Sequence, residues 1–265
     1  MPTIRSRDAQ IFYEVLGKGP PVVLLHPFPA NHEVWKLAAQ ALLPRYKLIL
    51  PDLRAHGDSE LGEGPAFMQK HAADVARVMD DAEISRAALA GISIGGYTIF
   101  EFWRQFRDRV AALALLNTKA QADTAEARSA RLKSADEVVE RGTEQFFQGM
   151  AQKVIGKTTH ASRPDLVEGA LRMMRRMSPQ DVAGVQRGMA ERPDSVPTLK
   201  TINVPTLVVT GEEDGLTGLP EAQLMYQHIS GSQVKVISRA GHFAVWEQPE
   251  EAGRLLRQFL DSSYA

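Results

Sequence analysis

Several short runs in this chain place apolar residues at consecutive positions: Val22–Leu25, Lys47–Leu50, Ala87–Ala90, Val110–Leu116, Thr206–Val209 and Val234–Ile237. A strand with one wet face alternates apolar and polar residues. A run without that alternation belongs in a sheet covered on both sides, which is the habit of parallel strands. Between the runs the apolar spacing changes to that of helices. Trp35, Ala38, Ala39 and Leu42 form one face of a helix over Val34–Leu43; Val75, Val78 and Met79 mark another over Phe67–Ala82. Ile94–Phe106, Leu219–Ile229 and Pro249–Leu260 continue the alternation, the last with Ala252, Leu255, Leu256 and Phe259 inward. Ile11–Val15 adds a short strand that ends at the turn Gly17-Lys18-Gly19-Pro20. The pattern predicts an α/β protein with a mostly parallel, doubly wound sheet.

From Thr118 to Ile202 the strands stop and the spacing is helical, as in Phe146-Phe147-Met150, Leu171-Met173-Met174-Met177 and Val182-Val185-Met189. Pro179 after Ser178 fits the first turn of a helix. The expected organisation is one core, residues 1–117 and 203–265, with a helical cap, 118–202, inserted before the last strands. An insertion leaving the carboxyl ends of parallel strands lies where such sheets bind ligands. The competing expectation is a helical appendage remote from any site.

Charge and composition narrow the function. Lys plus Arg number 31 and Asp plus Glu 32, so the net charge is −1. That balance gives no reason to expect a nucleic acid or a membrane as partner. The chain has 0 Cys, which excludes disulfides, thiolate metal sites and cysteine nucleophiles. The histidines lack metal-ligand spacing, so no metal is expected. The first residues, Met1–Asp8, are polar, and a cytoplasmic location is expected.

The sharpest motif is Gly91-Ile92-Ser93-Ile94-Gly95-Gly96, between a predicted strand and a predicted helix. A strand–turn–helix of this kind strains the central residue and lifts its hydroxyl above the sheet, at a helix N-terminus with free N–H groups. A plain helix cap by Ser93 is the alternative. A serine nucleophile needs a base, and the base needs an orienting acid. Asp214 follows the strand Thr206–Val209 and His242 follows Val234–Ile237, so both join Ser93 on the carboxyl rim of the sheet. Glu212 and Glu213 compete as the acid; Asp214 is preferred as furthest into the loop, and Asp123 is a weaker rival. His26-Pro27-Phe28-Pro29 follows the strand Val22–Leu25. The N–H groups of Phe28 and Ile94 are the expected oxyanion donors, since Pro27 and Pro29 have none.

These segments, with Asp52-Leu53-Arg54-Ala55-His56-Gly57-Asp58-Ser59, resemble the α/β-hydrolase superfamily over nearly the whole chain. Within it the chain is most similar to small bacterial carboxylesterases and 3-oxoadipate enol-lactonases, on the loop Asn117-Thr118-Lys119-Ala120 and the stretch Met189–Ser195. The resemblance implies the α/β-hydrolase fold and a serine hydrolase with Ser93 as nucleophile, Asp214 as acid and His242 as base. Three positions depart from the family pattern: Pro27 and Ala55 stand where glycine is usual, and Gly215 replaces the common proline after the acid. The Asp52–Ser59 segment is expected to be a structural turn, with Asp52 and Arg54 making local hydrogen bonds.

The expected activity is hydrolysis of small to medium carboxylic esters through an acyl-enzyme, with a small-molecule ester and water as partners and no cofactor. Phe28, Phe146, Phe147, Met150, Leu216 and Phe243 are the expected pocket walls. An enol-lactonase, another lactone hydrolase or a C–C hydrolase is the nearest alternative. It would need an anchor for a substrate carboxylate, for which Arg128, Arg131 and Arg163 are candidates. A ligand receptor with vestigial turnover is the alternative of another class.

Overall fold

A computed structural model describes residues 2–264. Eight strands form one sheet, in the order β1-β2-β4-β3-β5-β6-β7-β8. They are β1 (Thr3–Ser6), β2 (Ala9–Leu16), β3 (Pro21–Leu25), β4 (Lys47–Pro51), β5 (Ala87–Ile92), β6 (Val110–Leu116), β7 (Thr206–Gly211) and β8 (Gln233–Ile237). β1 and β2 pair antiparallel, and β2 runs antiparallel to β4. From β4 to β8 every pairing is parallel. β5 is buried at every position and β6 at all but one, as their unbroken apolar sequences require. β8 lies at the sheet's edge, where Val236 is exposed.

The helices are α1 (Lys36–Ala39), α2 (Met68–Asp81), α3 (Ile94–Phe106), α4 (Ala125–Arg141), α5 (Glu144–Val154), α6 (Lys157–Ser162), α7 (Pro164–Met174), α8 (Pro179–Ala190), α9 (Val196–Leu199), α10 (Leu219–His228), α11 (Ala244–Glu247) and α12 (Pro249–Ser263). None among the described residues is long and apolar enough to cross a membrane. α8 starts where the sequence indicates: Ser178 and Asp181 form a reciprocal capping box with Pro179 in the first turn. α4 to α9 all fall between β6 and β7, and α4 packs along α8.

Two elements differ from expectation. The helix foreseen over Val34–Leu43 is a 3₁₀ turn, His32–Trp35, followed by the single turn of α1. Asn31 caps the 3₁₀ turn by accepting from Glu33 N at 3.0 Å, and Pro44 cannot extend an i to i−4 ladder. β1 went unforeseen because only Ile4 and Ser6 turn inward. Ile4 pairs with Ile11 on β2.

The C-terminal helix closes the sheet's centre. Tyr264 Oη accepts from Ala88 N and donates to Pro21 O, each at 2.7 Å, so one phenol bridges β3 and β5 beside a register shift at Ala87/Ala88.

Candidate active site

Ser93 sits between β5 and α3 with φ 53° and ψ −113°. This left-handed geometry costs a non-glycine residue about 1–3 kcal/mol. The surroundings hold it there. Ser93 N is shared between Leu116 O and Asn117 O at 3.1 Å each, and Thr118 Oγ1 donates to Ser93 O at 2.8 Å. The glycines permit the close approach. A Cβ on Gly91 would stand 2.5 Å from the Gly95 carbonyl carbon, and one on Gly95 would stand 2.6 Å from Leu25 O. The Ser93 side chain makes no capping hydrogen bond to α3, which removes the helix-cap alternative.

The loops after β7 and β8 meet behind this turn. Asp214 Oδ2 lies 2.9 Å from His242 Nδ1, with both side chains buried. Asp214 also accepts from Asn117 Nδ2 at 2.9 Å, Thr217 Oγ1 at 2.9 Å, Leu216 N at 2.8 Å and Thr217 N at 3.1 Å. Burial pushes the Asp214 carboxyl up. The neighbouring His242, the Asn117 amide and the Leu216 N–H outweigh burial and hold it well below the usual carboxylate range. The rival acids are engaged elsewhere. Glu212 accepts from Arg239 N, Glu213 from Thr158, and Asp123 from Arg131.

Pro27–Pro29 curves past the same rim, with Ala30 N bonded to Pro27 O at 2.9 Å. Among the described residues neither Phe28 N nor Ile94 N donates to a protein acceptor; Ile94 is the first residue of α3, whose N–H has no partner within the helix. His26 is fully buried and fixes the loop from beneath. Its Nε2 accepts from Leu53 N at 2.8 Å, which leaves Nδ1 to donate to Pro27 O at 2.9 Å. Burial, reinforced by His56, brings the His26 pKa down to about 3, so the ring is neutral.

The Asp52–Ser59 segment is structural, as expected, but Arg54 does not act locally. Its buried guanidinium grips Asp74 on α2 through two nitrogens, at 2.8 and 2.9 Å, and Asp8 at 2.9 Å. Asp52 accepts from His32 Nδ1 at 2.8 Å and from Asp58 N at 2.9 Å. Ala55 keeps a left-handed φ of 67°, the conformation for which glycine is the easier residue.

A cavity of about 380 Å³ opens above Ser93 and His242, and α4, α5 and α8 supply much of its wall. Phe28, Phe146, Met150 and Leu216 line it. Phe147 and Phe243 do not, and this corrects the sequence expectation. Phe147 points with Ala151 to the buried face of α5, while Phe146 and Met150 face the cavity one turn apart and Val154, at the end of the helix, reaches its wall. Phe243 is 0% exposed. The i, i+4 and i, i+7 apolar spacing of Phe147, Ala151 and Val154 was the available signal.

Polar lining residues were largely missed. Lys119, Asp123, Arg131, Lys153, Gln186 and Tyr97 all face the cavity. Asp123 holds Arg131 at 2.6 Å and the buried Arg192 at 2.8 Å, with Lys119 at 3.8 Å. The Arg192 guanidinium lies 4.3 Å from the centre of the Tyr97 ring. Burial raises the Asp123 carboxyl, but the two arginines overcome it and bring the pKa to about 2. Burial and then Arg192 lower the Lys119 ammonium, only partly offset by Asp123. Arg128 and Arg163, the other candidate anchors, pair at the surface with Glu191 and Asp165.

Comparison with known proteins agrees with this architecture. Residues 20–249 match the alpha/beta hydrolase fold family, and the chain belongs to it. It is 28% identical to 3-oxoadipate enol-lactonase 2 of Acinetobacter baylyi over 250 residues, 94% of this chain and 92% of the relative. A thermophilic esterase from Thermogutta terrifontis, solved with malate bound, superposes with a TM-score of 0.97 at 32% identity, covering 100% of both chains. The enol-lactonase of Burkholderia xenovorans LB400 shares the fold, with a TM-score of 0.92 at 22% identity over 98% of this chain and 100% of that one.

Proposed function

We propose that the chain is a serine carboxylesterase for small to medium esters, with the helices between β6 and β7 acting as a cap. The observation that carries this reading is the Asp214–His242 contact of 2.9 Å beside a strained serine that shares the His242 cavity. His242 removes the Ser93 proton as the hydroxyl attacks the ester carbonyl. The N–H groups of Phe28 and Ile94 receive the oxyanion, and His242 returns the proton to the leaving alcohol. Water repeats the sequence and frees the acid. Asp214 keeps the imidazole in the tautomer that presents Nε2 to the serine.

A second reading, favoured by Lys119 and Arg131 at the wall, is a lactone or ester whose far end carries a carboxylate. The similarity to an enol-lactonase of 3-oxoadipate and to an esterase that holds malate supports it. The test is initial rates on p-nitrophenyl esters from acetate to decanoate, with Ser93→Ala beside the wild type. Saturable turnover that falls about 10³-fold or more in the variant supports the esterase. Residual activity above a tenth rejects Ser93 as nucleophile. Folded wild type with no turnover on esters or lactones points to a receptor.

A further inference from the structure

His242 is mounted from both sides on the helical insertion. The residue before it, Gly241, donates its N–H to Glu247 Oε1 at 2.9 Å, and Glu247 Oε2 accepts from Gly156 N at 2.8 Å. The residue after it, Phe243, donates to Val154 O at 3.0 Å. Val154 ends α5 and Gly156 caps α6, so both neighbours of His242 reach one short stretch between β6 and β7. Glu247 is 4% exposed and makes this bridge with both carboxylate oxygens. The acid loop is tied to the same place: Glu213 Oε2 accepts from Thr158 N at 2.9 Å, and Oε1 from Thr158 Oγ1 at 2.5 Å. Packing there leaves no slack. A Cβ on Gly156 would lie 2.6 Å from Glu213 Oε2, 2.7 Å from Gly241 N and 3.0 Å from Glu247 Oε2. Gly156 has φ −67°, so its small size serves this contact and not the backbone.

We propose that Glu247 is a positioning residue that makes Val154–Thr158 part of the mount of His242, so that this stretch and the imidazole shift together. The proposal rests on His242 serving as the base. Movement that admits substrate then belongs to the other side of the insertion. There Ser134 on α4 and Phe146 and Met150 on α5 line both the main cavity and an adjoining one of about 420 Å³.

Glu247→Gln tests the idea, because the new amide keeps the size but turns an N–H₂ toward one of the two backbone donors. Hydrogen–deuterium exchange and steady-state kinetics on p-nitrophenyl butyrate would be read on Glu247→Gln, Gly156→Ala and a control, Leu171→Ala, in the buried side of α7. The expected result is faster exchange in peptides covering 154–159 and 240–248 together. kcat should fall about 10- to 100-fold with KM held within about twofold, for both Glu247→Gln and Gly156→Ala. Leu171→Ala should lower the melting temperature with kcat per folded molecule retained. Exchange that rises in only one of the two segments overturns the proposal, as does a Glu247→Gln protein with its kcat intact. Wild type without Ser93-dependent turnover defeats the esterase reading instead, and the paired exchange then decides the clasp alone.

Discussion

Asn117 stands behind Asp214: its amide donates to Asp214 Oδ2 at 2.9 Å, the same oxygen that faces His242 Nδ1. Asn117 itself is held at φ 43° and also reaches Gly241 O at 3.2 Å, so one side chain spans the acid loop and the histidine loop. A hydrogen bond to a charged group is worth about 1.5–3 kcal/mol. Asn117→Ala is therefore expected to lower kcat/KM about tenfold, since Thr217 and Leu216 still hold the carboxylate. Asp214→Asn should cost about 10³- to 10⁴-fold by presenting the wrong tautomer. Glu212→Gln, whose carboxylate accepts from Arg239 N, serves as the comparison; a larger loss there than at Asp214 would reassign the acid.

The turn under Ser93 tolerates no extra atom. In Gly95→Ala the methyl meets the Leu25 carbonyl, which is backbone of β3 and cannot rotate away. The expected loss is about 1–3 kcal/mol of stability, together with most esterase activity. Urea unfolding and p-nitrophenyl acetate rates check both; an alanine variant with wild-type values on each would mean that the turn is looser than drawn.

Charge at the cavity wall should read out as substrate preference. Lys119 is pulled down by burial and by Arg192, so an anion at that wall relieves it. Lys119→Met is expected to reduce kcat/KM about tenfold or more for esters bearing a free carboxylate, and to change neutral esters of the same length by less than about twofold. Equal losses on both would assign Lys119 to packing.

Acid should weaken the fold well above the range in which carboxylates titrate. His26 is brought to about 3, and His56 and His71 are also lowered, in every case chiefly by burial. The unfolded chain protonates these rings near pH 6.5, and the folded one does so only at lower pH. Stability is thus full above that pH and lost as pH falls below it, by about 1.4 kcal/mol per unit for each proton the fold withholds. Urea midpoints at pH 7.5, 6 and 5 measure it. His71→Leu should make the slope shallower, and a flat profile down to pH 4.5 would show that the rings protonate in place.

What the sequence revealed follows from what each residue type must do alone. Consecutive apolar runs have one solution, so β3 to β7 and their rim were legible, and with them the loops of Ser93, Asp214 and His242. α5 was harder because it is apolar on two faces, and Phe146 and Phe147 differ only in which way the helix turns them. The basic cavity wall was hidden for another reason. Lys119, Arg131 and Arg192 look like solvated charges until the fold brings them around one carboxylate, that of Asp123. The Glu247 bridge joins positions 91 residues apart and has no local pattern at all.

The phenol of Tyr264 has a consequence for the order of events in synthesis. Ala88 on β5 and Pro21 on β3 lie in the first part of the chain to be made, yet both bond to a residue made 176 and 243 positions later. A nascent chain growing from its N-terminus can pair β3 with β5 early, but it lacks this bridge until Tyr264 docks. Loss of the Tyr264 phenol strips Ala88 N and Pro21 O of that partner, so a change just past α12 is felt in the middle of the sheet and not at its edge.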